Sequence, residues 1–113
     1  MRRAVLGDEH VDSVNSKTTA IDEPFQDYIT SAVWSDIWAR QGLDVLTRRY
    51  LTIGLLTALG AERELELHIR AALHADVDPD TLREVMSQTA QIIGIQSIRS
   101  SSTLLDRILA ETT

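Results

Sequence analysis

The sequence contains no cysteine. That absence excludes disulfides, zinc–thiolate centres and every thiol-based redox mechanism in one step. Aromatic residues are scarce, at 4% of the chain, and eleven lysines and arginines face seventeen aspartates and glutamates for a net charge of −6. A nucleic-acid surface needs a basic face, and single strands also need stacking rings, so no nucleic acid is expected as a partner. No apolar run approaches the roughly 20 residues that span a bilayer, so no membrane partner is expected either. Met1-Arg2-Arg3 is basic, but Gly7, Asp8, Glu9 and His10 stand where a secretory signal requires apolar residues. The expected location is the cytoplasm. Phosphate-binding glycine loops, a dinucleotide fingerprint and a nucleophile elbow are all missing. The three histidines, His10, His68 and His74, have no metal-site spacing, so neither a metal nor another cofactor is expected.

What is present is an ordinary globular composition of 113 residues, 43% hydrophobic and 25% charged. That length suits one domain, which buries about two-thirds of its unfolded surface. Residues 1–24 show no apolar period and read as an irregular N-terminal arm. From residue 25 to 113 the pattern is helical. Phe25, Ile29, Val33, Ile37 and Trp38 recur at helical spacing up to Gln41-Gly42. Asp44 then opens a second helix through Leu46, Tyr50, Ile53, Leu56 and Leu59, ending at Gly60; its nearly continuous apolarity predicts a central, buried position. A third helix, about 61–75, places Leu65, His68, Ile69 and Ala72 on one face. Asp78-Pro79-Asp80 reads as an N-cap with proline in the first turn of a fourth helix carrying Leu82, Val85, Met86, Thr89 and Ile93. A fifth runs from roughly Ile98 to Leu109. Apart from a short ambiguous run at 92–95, nothing alternates with period two. The expected fold is an all-α single-domain bundle of about five to six helices.

Few polar residues fall where chemistry could use them. His68 has Leu65 and Ala72 as its i−3 and i+4 neighbours and therefore points inward, with Glu64 one turn earlier on the same face. A carboxylate orienting an imidazole is the minimal general acid/base pair; the plainer reading is a satisfied interior histidine. Arg48 and Arg49 sit side by side near the start of the second helix. One must lie nearer the core, either as a forked anchor for a substrate carboxylate or as half of an ion pair. Gln88 falls on the inward side of the fourth helix, able to bond a substrate or a buried carbonyl. His10 is a site residue on an ordered arm or a surface histidine. His74 and Asp76 close the third helix, where an imidazolium suits the C-terminal dipole. Trp34 and Trp38, at i, i+4, read as core or interface.

Taken in order, these residues resemble the carboxymuconolactone decarboxylase family. The resemblance is carried by Arg2 to Asp12 with its Leu6-Gly7-Asp8-x-His10-Val11 run, by Phe25 to Thr30, Trp34 to Arg40, Gly42-Leu43, Thr47-Arg48, Leu51-Thr52-Ile53, Ala58-Leu59-Gly60 and Glu64 to Ala72. It continues through Glu84-Val85-Met86 and Gln88. The resemblance implies the helical fold shared with alkylhydroperoxidase D-type proteins, whose site is Cys-x-x-Cys-x-x-x-His. Ala61 and Glu64 stand at the two cysteine positions and His68 at the histidine, so peroxidase chemistry is excluded and an acid/base pair occupies its place.

The implied reaction is a cofactor-independent decarboxylation of carboxymuconolactone or a related carboxylated lactone, by acid/base catalysis. The electrons of the C–CO₂ bond pass into the unsaturated carbonyl of the substrate itself. The resemblance implies His68 and Glu64 as catalytic and Arg48, His10 and Gln88 as substrate-binding. Alternatives are a relative recruited to another decarboxylation or proton transfer, for example in secondary metabolism, and a non-catalytic helical oligomer. The sequence departs from the family pattern at Ser35, Asp76, Ile92, Gln96 and Arg99, in a region expected to line the pocket, so the substrate is expected to differ in detail. The family forms rings, and a homotrimer or homohexamer is expected here, because the second helix, the fifth helix and the two tryptophans offer more apolar surface than a 113-residue monomer hides.

Overall fold

The computed structural model describes residues 1–112, with the side chains of residues 95–98 and 112 outside that description. Among the described residues it is all-helical: α1 (Arg2–Leu6), α2 (Asp8–Lys17), α3 (Glu23–Ile29), a π-helical segment (Thr30–Trp38), α4 (Val45–Leu59), α5 (Glu62–His74), α6 (Pro79–Ile93) and α7 (Ile95–Thr112). No helix is long and apolar enough to cross a membrane. The chain divides into two compact units, residues 1–48 and 49–113.

In the first unit the expected irregular arm is mostly helical. Asp8 and Glu9 in the first turn of α2 and Lys17 in its last complement the helix dipole. Gly7, at φ 89°, breaks α1 from α2 in a conformation that favours glycine. Arg3 of α1 pairs with Asp8 at 3.2 Å and Asp12 at 2.8 Å on α2, while Val5, Leu6 and Val11 are buried beneath. The arm was illegible because its helices are short and present only three apolar side chains inward.

The helix expected from Phe25 also differs. Its C-terminal half is wound with i→i+5 bonds, so side chains drift off the 3.6-residue face. Trp34 and Trp38 are consequently buried, with ring centroids 5.4 Å apart, whereas Phe25 and Ile37 are 63% and 48% exposed. Asp44 caps the following helix as expected: its Oδ1 accepts from the Thr47 N–H at 2.7 Å.

The second unit holds the main core, made by Ile53, Leu65, Ile69, Ala72, Leu82, Met86, Leu104, Leu105 and Ile108. α7 packs against both α5 and α6. Charge ties the same helices together at the surface. Glu66 accepts from Arg70 and Arg107, Arg70 also reaches Glu111, and Arg83 bridges Asp80 and Asp106. The Asp78 cap is present, with its Oδ1 accepting from Asp80 N–H at 2.8 Å. α7 starts at Ile95, three residues before its expected start at Ile98.

The central burial expected for α4 is only half realised. Arg49, Ile53 and Thr57 form its buried line, while Leu51, Leu55 and Leu59 stand 51%, 62% and 77% exposed. A helix apolar all round carries no periodic signal for which face turns inward. Gly54 lets α4 approach α6 closely: a Cβ there would meet Thr89 Oγ1 at 3.2 Å.

Candidate functional site

Helix α5 carries both Glu64 and His68, the expected acid/base pair. Glu62 and Glu64 occupy its first turn and His74 its last, each at the end the macrodipole favours. Leu65, Ile69 and Ala72 are buried in the core and fix the roll of the helix. That roll leaves His68 half-buried with its Nδ1 atom shielded from solvent. Glu64, one turn earlier, is exposed, and among the described residues its carboxylate makes no hydrogen bond or ion pair. Residues at i, i+4 have Cβ atoms about 5–6 Å apart, so a rotamer change suffices to bring the carboxylate to the imidazole edge. The inward orientation of His68 is thus as expected, and the pair is adjacent rather than closed.

The other expected site residues are placed less simply. Arg48 neither pairs with an acid nor stands free: its Nε donates to the Leu43 carbonyl and its Nη2 to the Arg40 carbonyl, both at 3.1 Å. Three further N–H donors of the fork are not used in these two bonds. Arg49 is the member of the pair that lies in the core, 5% exposed, where burial lowers its guanidinium pKa. The sequence required one arginine to be inside without saying which. His10, on α2, is half-buried; burial first, and then the nearby Arg2 charge, hold its pKa below the ordinary histidine value. Gln88 is a correction. It is exposed, and Ile92 is 82% exposed, because the inward side of α6 is set by Leu82 and Met86. Of the positions that depart from the family pattern, Ser35, Asp76 and Arg99 are exposed, and the Gln96 side chain lies outside the described residues.

Near the N-terminal end of α5, Thr57, Gly60, Glu62, Leu65, Ser100, Ser101 and Leu104 line a recess of about 160 Å³. Thr57 donates its hydroxyl to the Ile53 carbonyl at 2.8 Å. Among the described residues no three histidine, aspartate or glutamate side chains converge as a metal site.

Comparison with known proteins adds the following. A model described as the carboxymuconolactone decarboxylase family matches residues 23–107, which include Glu64 and His68. The chain is 30% identical to 4-carboxymuconolactone decarboxylase from Acinetobacter baylyi, over 98% of this chain and 83% of that protein. It is 36% identical to nitrosuccinic acid decarboxylase from Metarhizium robertsii, over 86% of this chain and 68% of that one. An uncharacterized 15.0 kDa protein from Paracoccus denitrificans is 32% identical over 64% of this chain.

Proposed function

Because the chain belongs to the carboxymuconolactone decarboxylase family, we propose that it decarboxylates a small carboxylated lactone, or an acid activated in the same way, by proton transfer through His68 and Glu64. The observation that carries this reading is the placement of His68: an imidazole turned inward from a core helix, with a carboxylate one turn away and unengaged by other described groups.

The names of the two decarboxylases to which the chain is similar point to one chemical principle. In carboxymuconolactone the electrons of the breaking C–CO₂ bond flow into an unsaturated lactone carbonyl; in nitrosuccinic acid they flow into a nitro group. CO₂ departs, a dienolate or nitronate remains, and one proton is then added to carbon. The electron sink belongs to the substrate, so the protein has to hold the anion, stabilise the delocalised charge and deliver that proton. His68 delivers it as an imidazolium. Glu64 orients the ring and stabilises its charged form once the carboxylate turns toward it. Arg48 and His10 are the groups we assign to contact the substrate, Arg48 through the donors it does not spend on Leu43 and Arg40.

A second substrate class, an open-chain activated diacid, is favoured by the higher identity to the nitrosuccinic acid enzyme. The deciding experiment supplies pure protein with carboxymuconolactone and, separately, with nitrosuccinate, and follows CO₂ release. Turnover of either, lost in His68→Ala, supports the reading; no CO₂ from either removes the decarboxylase assignment for these substrates. A closed homo-oligomer belongs to the same proposal, supported by the exposed row Leu51, Leu55 and Leu59 on α4.

A further inference from the structure

The larger of the two cavities described is built entirely from residues of the first unit. It has a volume of about 360 Å³, and its walls include Arg2, Arg3, Asn15, Thr30, Trp34 and Ser35. That size suits a small organic ligand.

The two arginines in its wall are not equivalent. Arg3 is neutralised by Asp8 and Asp12, and these contacts raise its pKa. Arg2 is half-buried and, among the described residues, has no acidic partner; its one hydrogen bond is a long one, 3.4 Å, from Nη1 to the Asn15 Oδ1. A guanidinium carries five N–H donors, so the Arg2 fork keeps most of its capacity for an acceptor in the cavity. The chain has six more acids than bases, yet among the described residues no carboxylate is placed on this one. Around it, the Asn15 amide and the Thr30 and Ser35 hydroxyls add neutral donors, and they leave the positive charge uncancelled. The apolar wall is made by Met1, Val11 and Trp34, and the Trp34 ring, 7% exposed, is held by its contact with Trp38. A rigid ring beside a forked cation and a few hydroxyls recognises a flat, conjugated carboxylate: the fork takes both carboxylate oxygens and the ring takes the apolar plane.

We propose that the Arg2–Trp34 cavity is a binding site for a small planar organic carboxylate, with Arg2 as its anion anchor and Trp34 as its packing surface. The site uses no residue of α5 and its occupancy is measured without turnover.

Trp34 and Trp38 are the only tryptophans of the chain, so tryptophan fluorescence reports on this unit alone. The probe is maleate, a planar dicarboxylate, titrated to millimolar concentration at constant ionic strength, with sodium chloride as the control. The expected result is a saturable fluorescence change and a matching calorimetric isotherm, with Arg2→Gln weakening maleate by about tenfold or more, as loss of a hydrogen bond to a charged group implies. Arg2→Lys, which keeps the charge without the fork, should bind between the two. Near-ultraviolet circular dichroism of the tryptophans confirms that each variant keeps this unit folded, and Asn15→Ala serves as a second variant should Arg2→Gln lose that signal. No saturable change with maleate, the same change with chloride, or wild-type affinity in a folded Arg2→Gln or, in its place, Asn15→Ala protein each overturns the proposal. A decarboxylation assay that fails leaves this result standing, and maleate binding does not rescue the decarboxylase reading.

Discussion

Arg48 donates from its Nη2 to the backbone carbonyl of Arg40, eight residues earlier, while its Nε takes the carbonyl of Leu43. One side chain thereby satisfies two carbonyls in the connection that leads into α4, and its own orientation is fixed in return. Lysine at this position keeps the charge but cannot span both acceptors. Arg48→Lys should lower stability by about 1 kcal/mol, less than a buried charged bond because the site is partly exposed. In the proposed reaction it should also raise KM, since a carboxylate contact is made in the ground state as well as the transition state. Thermal melts and steady-state kinetics read the two effects separately; a lowered melting temperature with unchanged KM reduces Arg48 to a clamp on the connection.

His68→Ala and Glu64→Gln should keep the helical circular-dichroism spectrum and lose activity, by about 10²–10⁴-fold where a positioned acid/base is removed. Glu64 is exposed, so its replacement has little effect on packing, and any loss of rate reports on proton transfer. Wild-type turnover by a folded His68→Ala protein contradicts the mechanism outright.

The inward turn of His68 was legible because Leu65, Ile69 and Ala72 define one helix face by simple periodicity. Gln88 was misplaced for a different reason: Leu82, Val85, Met86 and Ile93 already define the inward face of α6, and Gln88 falls outside it beside the exposed Ile92. The α4 leucines were not legible because apolar residues occupy more than one face of that helix, so periodicity alone gives no unique inward direction. The π-helical turns from Thr30 to Trp38 have no recognised sequence signal in this chain and leave Ile37 exposed, whereas Trp34 and Trp38, which read as core or interface, are buried. The contacts of Arg48 were invisible because a side chain reaching backbone carbonyls leaves no trace in residue pairing. The cavity beside Arg2 depends on two short helices, α1 and α2, that carry no apolar period in the sequence.

Gly60 and Asp76 hold equivalent places at the ends of α4 and α5, with φ of 67° and 64°. In each, the next residue's N–H closes on the carbonyl five residues back, Ala61 to Leu56 and Val77 to Ala72, while Gly60 and Asp76 themselves donate to Thr57 and Leu73. Glycine takes this left-handed conformation freely, whereas an L side chain there costs about 1 kcal/mol. Asp76→Gly should therefore stabilise the protein by about that amount, and Gly60→Ala should destabilise it comparably. Chemical denaturation midpoints decide; a destabilised Asp76→Gly means that the aspartate makes a compensating contact.

Acid should loosen α7 from α5. The hydrogen bond from Arg70, followed by the charges of Arg107 and Arg70, holds the Glu66 carboxyl below its usual pKa despite some opposing desolvation. The contribution of a lowered carboxyl pKa is present above the unfolded-state value and is lost as pH falls through the folded one. The stability gap between wild type and Glu66→Gln should thus be widest near neutrality, close below pH ~4, and shrink in high salt because the group is substantially exposed. A gap that is independent of both pH and salt assigns Glu66 a packing role instead.

Leu51, Leu55 and Leu59 follow one another at four-residue spacing along α4 and expose more than half of each side chain. Ile92 on α6 is 82% exposed as well. Burying a leucine of this kind contributes about 1.5–3 kcal/mol, so a row of three supplies the driving force for self-association when a second copy covers it. A polar substitution at the centre of such a row leaves the core of one chain untouched, because Ile53 and Thr57 form the buried side of the same helix. Leu55→Glu should accordingly preserve helicity while shifting the protein from a closed homo-oligomer toward monomer. Light scattering at micromolar concentration measures the mass of both proteins. A wild-type protein that scatters as a 12.6 kDa species while fully active would falsify the assembly.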